Sequence, residues 1–171
     1  MATRSITFER QEGLYLKKTR KKGRGVFCTE NIEEGDELEI TPSLLLSEDE
    51  IESVRETVLQ SYAFSVGNVS KQLRRKANVE DLEAAGVMIM GIASFCNHDE
   101  EPNAEIVWEE KNGTLYHTLV ATRDIPKDTE ICTTYGEGWF DDKDFKCNSV
   151  AIEQSNTPSD EDDELLAQGK T

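Results

Sequence analysis

Apolar and polar residues alternate over short stretches in the N-terminal quarter of the chain, which predicts β-strands. The runs are "LYLKK", "VFCT" and "ELEI", separated by the basic loop "TRKKGRG" and the turn "EEGD". Pro42 follows the third run and is expected to end it, because proline cannot donate a hydrogen bond to a neighbouring strand.

The C-terminal half has the same character. "AEIVWEE" and "TLYHTLVAT" alternate on either side of "KNG", which is typical of a β-hairpin. "DIPKDTEICTTYGEGWF" then supplies another turn and a short strand. Strands are therefore predicted to dominate both ends, and the fold class is mainly β with a helical insertion.

The middle of the chain has a different periodicity. Ser47 and Glu50 form a capping box, and Ile51, Val54 and Val58 recur at helical spacing, so one amphipathic helix is predicted there. The following "VSKQLRRKANVEDLEA" is polar, which indicates a variable surface excursion. "AAGVMIMGIASFC" (84–96) is too short to span a bilayer and is expected to be a buried core segment.

The length of 171 residues suits one domain with tails. We expect that domain to cover residues 1–146, with the helical or variable insertion at about 44–90. Residues 147–171 are polar, acidic and without periodicity, so a disordered C-terminal tail is expected.

Charge changes the picture of possible partners. Against 19 Lys and Arg stand 35 Asp and Glu, a net charge of −16, and residues 1–152 still hold 29 acids against 18 bases. This balance disfavours direct nucleic-acid binding and favours a cationic partner. The basic run from Lys17 to Arg24 is accordingly read as a solvated loop or as charges paired with the acidic body.

Cysteine usage and the N-terminus indicate an intracellular protein with reduced thiols, in the cytoplasm or the nucleus. The four cysteines lack CxxC spacing, and "MATRSITFER" lacks the apolar stretch of a signal peptide. A metal site that combines Cys96 and His98 with Cys132, Cys147 or His117 lacks ligand spacing, so no metal is expected.

Three short motifs could carry chemistry, and each also has an ordinary structural explanation. Gly23 and Gly25 could form a tight turn, or could leave backbone bare for close approach to a ligand. Asn97 and His98 could cap the buried segment before them. Tyr135 could be an ordinary aromatic residue at a strand end.

The order and distance of the three motifs together resemble the SET domain of protein lysine methyltransferases. "GRGVF" is followed about seventy residues later by "NHDEEPNA", and about thirty residues beyond that by "YG" after a strand. The resemblance covers about residues 14–140. It implies small curved sheets around a helical insertion, with a threaded, knot-like crossing at the active site.

In this family the corresponding segments bind S-adenosylmethionine, and the substrate lysine enters a channel from the opposite face. The resemblance thus implies two sets of residues. The cofactor set is Lys22, Gly23, Arg24, Gly25, Phe95, Asn97, His98, Tyr135 and Trp139. The channel set is Tyr62, Thr133 and Phe140, with Tyr135 and Tyr62 as the catalytic tyrosines. Tyr62 could equally be a core aromatic residue.

Three departures from the family pattern affect these expectations. Asp99 replaces the usual Ser, which changes a local hydrogen bond. The zinc-binding cysteine cluster after the "YG" strand is absent, so Trp139 and Phe140 or a second subunit of a homodimer is expected to close the site. Thr133 replaces a common aromatic residue, which predicts a roomier channel and more than monomethylation.

Two functions follow from the resemblance. The first is an S-adenosylmethionine-dependent enzyme that methylates a lysine of a basic protein or peptide, such as a histone-like or ribosomal tail, with no membrane association. The alternative is a catalytically silent SET-like scaffold that binds a basic partner. The presence of Asn97, Tyr135 and the GxG loop favours the enzyme.

Overall fold

The computed structural model describes residues 9–10, 13–20 and 22–136. This part of the chain is built mainly from β-strands with a few short helices, which confirms the predicted fold class. The strands are β1 (Glu9–Arg10), β2 (Leu14–Lys18), β3 (Arg24–Cys28), β4 (Glu37–Leu46), β5 (Ala63–Phe64), β6 (Gly86–Ile89), β7 (Asn97–His98), β8 (Ala104–Lys111), β9 (Thr114–Ala121) and β10 (Glu130–Thr133). The helices are α1 (Glu48–Val54), α2 (Lys71–Lys76), a first 3-10 helix (Val58–Tyr62) and a second 3-10 helix (Ile92–Phe95).

The strands form two sheets. The larger has the order β5-β6-β4-β9-β8, with β1 paired to β4, and the smaller has the order β2-β3-β10-β7. In the smaller sheet β10 lies between β3 and β7, antiparallel to the first and parallel to the second. Three segments that are far apart in the sequence therefore lie side by side.

The predicted hairpin is confirmed. β8 and β9 pair over their full lengths, from Ala104 opposite Ala121 to Lys111 opposite Thr114. The turn between them places both Asn112 and Gly113 at positive φ, 53° and 70°. Asn and Gly tolerate this left-handed conformation, and it matches the twist of the paired strands.

The capping box is also confirmed, but the helix is shorter than predicted. The Ser47 hydroxyl accepts the Glu50 N–H, and the Glu50 carboxylate accepts the Ser47 N–H. α1 ends at Val54, and Thr57 caps a separate 3-10 helix by accepting the Leu59 N–H at 3.2 Å. The prediction of a single helix that reaches Val58 is therefore wrong. The Thr57 hydroxyl accepts a backbone N–H and so begins a second, separate helix.

The prediction that Pro42 ends its strand is wrong, since β4 continues to Leu46. Pro42 pairs with Tyr116 on one edge of β4. On the other edge β1 pairs only as far as Ile40, and β6 begins to pair at Ser43. Among the described residues Pro42 thus falls in the gap between two neighbours, where a missing N–H breaks no ladder.

The polar stretch after Gly67 is not merely a surface excursion. It contains α2, and Val69 and Leu73 are buried against Val87 of β6 and Leu115 of β9. The apolar residues are few, so the segment looks polar in sequence, yet Val69 and Leu73 join the same buried cluster. The excursion therefore has a small core of its own.

The main core contains buried residues from both sheets, on β3, β4, β9 and β10, and from the second 3-10 helix. The segment 84–96 is buried in part: Val87, Ile89, Ala93 and Cys96 are at most 5% exposed, whereas Met90 is 55% exposed. Burial of each large apolar side chain stabilises the fold by about 1.5–3 kcal/mol.

Within the described residues no helix is long and apolar enough to cross a membrane.

Candidate active site

The two glycines of "GRG" have different roles. Gly23 has φ +72° and its carbonyl accepts the Thr19 N–H at 2.6 Å, so it serves the turn between β2 and β3. At Gly25 a Cβ would lie 2.3 Å from Glu130 Oε1 and 2.9 Å from Asn97 Nδ2. The turn explanation therefore holds for the first glycine, and at the second the bare backbone is closely approached by the Glu130 and Asn97 side chains.

The Asn97 side chain connects the three strands of this region. Its Nδ2 donates to the Arg24 carbonyl at 3.1 Å and to Glu130 Oε1 at 2.6 Å. These partners lie 73 and 33 residues away in the sequence. The amide nitrogen therefore links β7 to β3 and β10, and it does not cap the segment that precedes it.

His98 links the glycine loop to Tyr135. Its carbonyl accepts Lys22 Nζ at 2.9 Å, and its Nδ1 accepts the Tyr135 backbone N–H at 3.1 Å. The His98 and Tyr135 ring centroids are 5.5 Å apart. Lys22, His98 and Tyr135, all predicted to lie at the site, are thus brought together.

Asp99, which departs from the family pattern, organises the loop that follows His98. Its Oδ1 accepts the Glu101 N–H at 3.1 Å, and its Oδ2 lies 3.6 Å from Lys22 Nζ. The pKa of Asp99 is lowered, first by the Glu101 N–H and further by Lys22. The half-exposed carboxylate is therefore ionised and attracts the Lys22 ammonium group.

The Tyr135 hydroxyl is fixed by the chain that leads into β7. It donates to the Cys96 carbonyl at 2.9 Å. Burial first, and then the neighbouring Cys96, Cys132 and Tyr62 side chains, raise the pKa of Tyr135 to about 12. The phenol is therefore protonated at neutral pH and is an oriented hydroxyl, not a base.

Arg24, Tyr62 and Phe95 form a second group of contacts beside the first. Arg24 Nη2 donates to the Tyr62 hydroxyl at 3.2 Å, and the guanidinium carbon lies 5.0 Å from the centre of the Phe95 ring. Tyr62 meets Phe95 edge to face, with 5.7 Å between centroids. Tyr62 is half-buried, and its place in a substrate channel stays a prediction.

Thr133 is buried at 2% exposure on β10, directly opposite His98. Within the described part of the chain its Oγ1 is the one buried side-chain oxygen or nitrogen atom without a hydrogen-bond partner. Unpaired buried hydroxyls are unfavourable, and this Oγ1 keeps the capacity for one further hydrogen bond. The predicted site residues Trp139 and Phe140 lie outside the described residues.

Two residues of this region were not identified from the sequence. Glu130 holds the Asn97 amide, and Asn103 fixes β10 by donating to the Glu130 carbonyl at 2.9 Å and accepting the Cys132 N–H at 2.8 Å. In the sequence, Glu130 appears only as a single acid before the apolar "IC" of "TEICTT", and Asn103 only as the Asn of "PNA". Neither identifies its partner.

The thiols near the site are buried and reduced. Burial raises the pKa of Cys132 to about 11, with a further contribution from the Glu130 charge, and burial also raises the pKa of Cys96. Both are therefore protonated at neutral pH. The described residues contain no group of three or more His, Cys, Asp or Glu side chains that could hold a metal ion.

Comparison with known proteins agrees with this geometry. The family model described as "SET domain" matches residues 23–136. Over 145 residues the chain is 30% identical to "Histone-lysine N-methyltransferase, H3 lysine-37 specific" of Schizosaccharomyces pombe, a match that covers 84% of this chain and 87% of the relative.

Two solved structures share the fold. The Plasmodium falciparum protein PFL0690c superposes with a TM-score of 0.55 at 24% identity, over 76% of this chain and 98% of that one. The Neurospora SET-domain protein DIM-5, a histone lysine methyltransferase, gives 0.56 at 25% identity, over 74% and 53% of the two chains.

The matched range contains the glycine loop, the Asn97–His98 strand and Tyr135, the same segments that β10 brings together by pairing with β3 and β7. This chain belongs to the SET-domain family of protein-lysine methyltransferases.

Proposed function

We propose that this protein transfers a methyl group from S-adenosylmethionine to the side-chain amine of a lysine in a basic protein. The observation that carries the proposal is the convergence at the β7–β10 pair. There Asn97 is bound to the Arg24 carbonyl, and Tyr135 is bound through its N–H to His98 and through its hydroxyl to Cys96.

The residues present fit the cofactor. Gly25 keeps its backbone bare where the Asn97 and Glu130 side chains pack against it, and a Cβ at this position would displace both. Aromatic, amide and imidazole groups surround it, and the residues that would hold the cofactor are Lys22, Gly23, Arg24, Gly25, Phe95, Asn97, His98 and Tyr135. When bound there, S-adenosylmethionine supplies an electrophilic methyl group and a sulfonium charge.

The contribution of the chain is alignment and control of protons. A free lysine has a pKa near 10.4, so roughly one side chain in a thousand is a neutral amine near pH 7.4. Tyr135 does not remove that proton, because its own pKa is raised to about 12. An apolar channel and nearby positive charge would disfavour the ammonium, and water would accept its proton. The fixed Tyr135 hydroxyl then orients the neutral amine for in-line attack.

A basic substrate is favoured by charge. The chain carries a net −16, and the loop after His98 presents the exposed acids Glu100 and Glu101. Lysine-rich tails would be concentrated by this field, and the attraction would weaken with added salt. The Schizosaccharomyces pombe relative is named as an enzyme that methylates a histone lysine, which is consistent with a lysine-rich tail as the substrate.

A transfer assay tests the proposal. Labelled S-adenosylmethionine is incubated with the protein and a mixture of histones and basic ribosomal proteins, with an acetylated copy of the same mixture as the control. We expect label in the unmodified lysine-containing proteins only. If titration calorimetry shows no cofactor binding and no protein acquires label, the chain is a scaffold and the proposal fails.

We further propose that the product carries more than one methyl group. Thr133 stands where the family often has an aromatic residue that limits the number of methyls, and its side chain is smaller. With excess cofactor, mass spectrometry should show di- or trimethyllysine from the wild-type protein and a shift toward monomethyllysine from Thr133→Phe.

Thr133→Val is the matched control for this shift. It keeps the volume and removes only the unpaired hydroxyl, so the distribution of methyl numbers should remain that of the wild type. A single methyl added by the wild-type protein under excess cofactor would contradict the roomier channel.

A further inference from the structure

Glu39 of β4 is a buried charged residue that belongs to none of the three sequence motifs. Glu39 lies in the interior of the larger sheet and is 3% exposed. Its Oε1 accepts the Ile92 N–H at 2.8 Å, and its Oε2 accepts the Ala93 N–H at 2.9 Å. These two amides are the first of the second 3-10 helix.

The carboxylate does for this helix what a cap residue does for others. The first N–H groups of a helix have no partner within the helix. Gly91 precedes the helix and has no side chain with which to cap it. Glu39 supplies the missing acceptors from more than fifty residues earlier in the sequence.

The other side of the carboxylate is also bound. Glu39 Oε2 lies 3.3 Å from Nε2 of the fully buried His117, whose Nδ1 is 3.0 Å from the Ser43 hydroxyl and 3.1 Å from that of Thr41. Burial by itself raises the pKa of Glu39. The hydrogen bonds from His117, Ala93 and Ile92 outweigh it and lower the pKa, so the carboxylate remains ionised.

Gly91 is shaped to this carboxylate. A Cβ at Gly91 would lie 2.3 Å from Glu39 Oε2 and 2.5 Å from Cδ. The backbone there is extended, with φ −147° and ψ −176°, so any residue could adopt the conformation. The absence of a side chain is therefore required by contact with the carboxylate alone.

The second 3-10 helix is only four residues long and ends at the proposed site. Phe95 contacts Arg24 and Tyr62, and the Cys96 carbonyl accepts the Tyr135 hydroxyl. Asn97 follows immediately. A single turn has no length over which to absorb a displacement at its first residue, so a shift at Ile92 reaches Asn97.

We propose that Glu39 is a positioning residue that fixes residues 92–98 in the conformation that binds S-adenosylmethionine. This inference rests on the proposed function, and Glu39 acts without touching the cofactor. Because bound cofactor would itself hold Asn97 and His98 in place, loss of Glu39 should weaken affinity for the cofactor more than it lowers kcat at saturation.

Glu39→Gln and Gly91→Ala test the proposal from opposite sides of the same contact. A glutamine amide offers one acceptor and places an NH2 group against the second helix N–H, whereas an alanine methyl displaces the carboxylate. We expect both variants to raise hydrogen exchange of amides 92–98 in the cofactor-free protein. Both should also raise the cofactor KM and Kd by about tenfold.

Ser43→Ala is the matched control, since it removes a buried hydrogen bond to His117 but leaves both helix amides bound to Glu39. It should lower stability without changing exchange at 92–98 or the cofactor KM. Wild-type exchange and wild-type affinity in Glu39→Gln and Gly91→Ala would overturn the positioning role. If the wild-type protein does not bind cofactor at all, the proposed function fails, and the exchange pattern still decides whether Glu39 positions the segment.

Discussion

Tyr135→Phe is expected to lower kcat for methyl transfer by about a hundredfold or more while leaving cofactor affinity within a few-fold of the wild type. The hydroxyl is held by the Cys96 carbonyl at 2.9 Å, so its oxygen is pre-oriented rather than free to rotate. Removing it deprives the substrate amine of its aligning partner. The ring and its contact with His98 are retained.

The effect should not depend on pH near neutrality. Burial raises the pKa of Tyr135 to about 12, so the phenol stays protonated between about pH 7 and 10 in the wild type. The ratio of wild-type to Tyr135→Phe rates should therefore be constant over that range. A ratio that grows with pH would indicate a phenolate acting as a base, contrary to the proposed role.

Tyr116→Phe is a control for the loss of a tyrosine hydroxyl, because Tyr116 is partly exposed on β9 and lies opposite Pro42 and Glu109 in the larger sheet. It should transfer methyl groups at the wild-type rate. Tyr62→Phe should give an intermediate loss, since it removes the hydrogen bond from Arg24 but keeps the ring contact with Phe95. Equal label from wild type and Tyr135→Phe would exclude the assigned role.

Gly25→Ala is expected to weaken cofactor binding by about a hundredfold or more, as measured by calorimetry. The added methyl would lie 2.3 Å from Glu130 Oε1 and 2.9 Å from Asn97 Nδ2, so both side chains must move away. Overpacking of this kind costs about 1–3 kcal/mol of stability. The loss of affinity should exceed what that destabilisation explains, because the displaced Asn97 amide is part of the proposed cofactor site.

Substitutions at two other glycines are controls that distinguish a steric clash from backbone strain as the cause of a lost affinity. Gly67→Ala adds a methyl where no atom lies within 4 Å and φ is not left-handed, so it should bind cofactor like the wild type. Gly23→Ala meets no atom within 4 Å but has φ +72°, so any loss of affinity that it shows comes with a backbone strain of about 1–2 kcal/mol and not from a clash. Wild-type affinity in Gly25→Ala would contradict the close-approach role of this glycine.

A double variant locates the clash. Glu130→Ala alone removes the carboxylate that holds Asn97 Nδ2 at 2.6 Å, and should weaken cofactor binding. Combined with Gly25→Ala it also removes the atom nearest to the added methyl. The two losses should therefore be less than additive, which is the expected result for residues in direct contact.

Features encoded within a few residues could be predicted from the sequence. The capping box of Ser47 and Glu50 and the turn at Asn112–Gly113 depend on atoms at most three residues apart, and both are present. The same is true of the alternating patterns of β8 and β9. Their partners are fixed by local chain geometry, so a single sequence is sufficient to identify them.

Only those site residues that belong to a recognisable sequence motif were predicted. Lys22, Gly25, Asn97, His98 and Tyr135 were placed together by resemblance, and the pairing of β10 with β3 and β7 brings them together. Glu130 and Asn103 were missed because their importance lies in the partner each one binds. Both partners come from segments about thirty residues away.

Pro42 shows that local prediction also fails for parts of the fold. A proline predicts the end of a strand, but β4 continues through Pro42 because β1 and β6 pair with β4 on either side of it. The few apolar residues of the excursion, Val69 and Leu73, likewise have meaning only against Val87. Propensity is a weak preference, and tertiary pairing overrides it.

By itself the sequence determined the mainly-β class, the hairpin, the helix cap and the motifs of a SET domain, because each depends on nearby residues or on a recognisable order. Only the tertiary structure decided that Glu39 is a buried carboxylate bound to Ile92 and Ala93. A charge is tolerated in a core only where specific donors meet it. Those donors lie more than fifty residues away, and the fold alone brings them into contact.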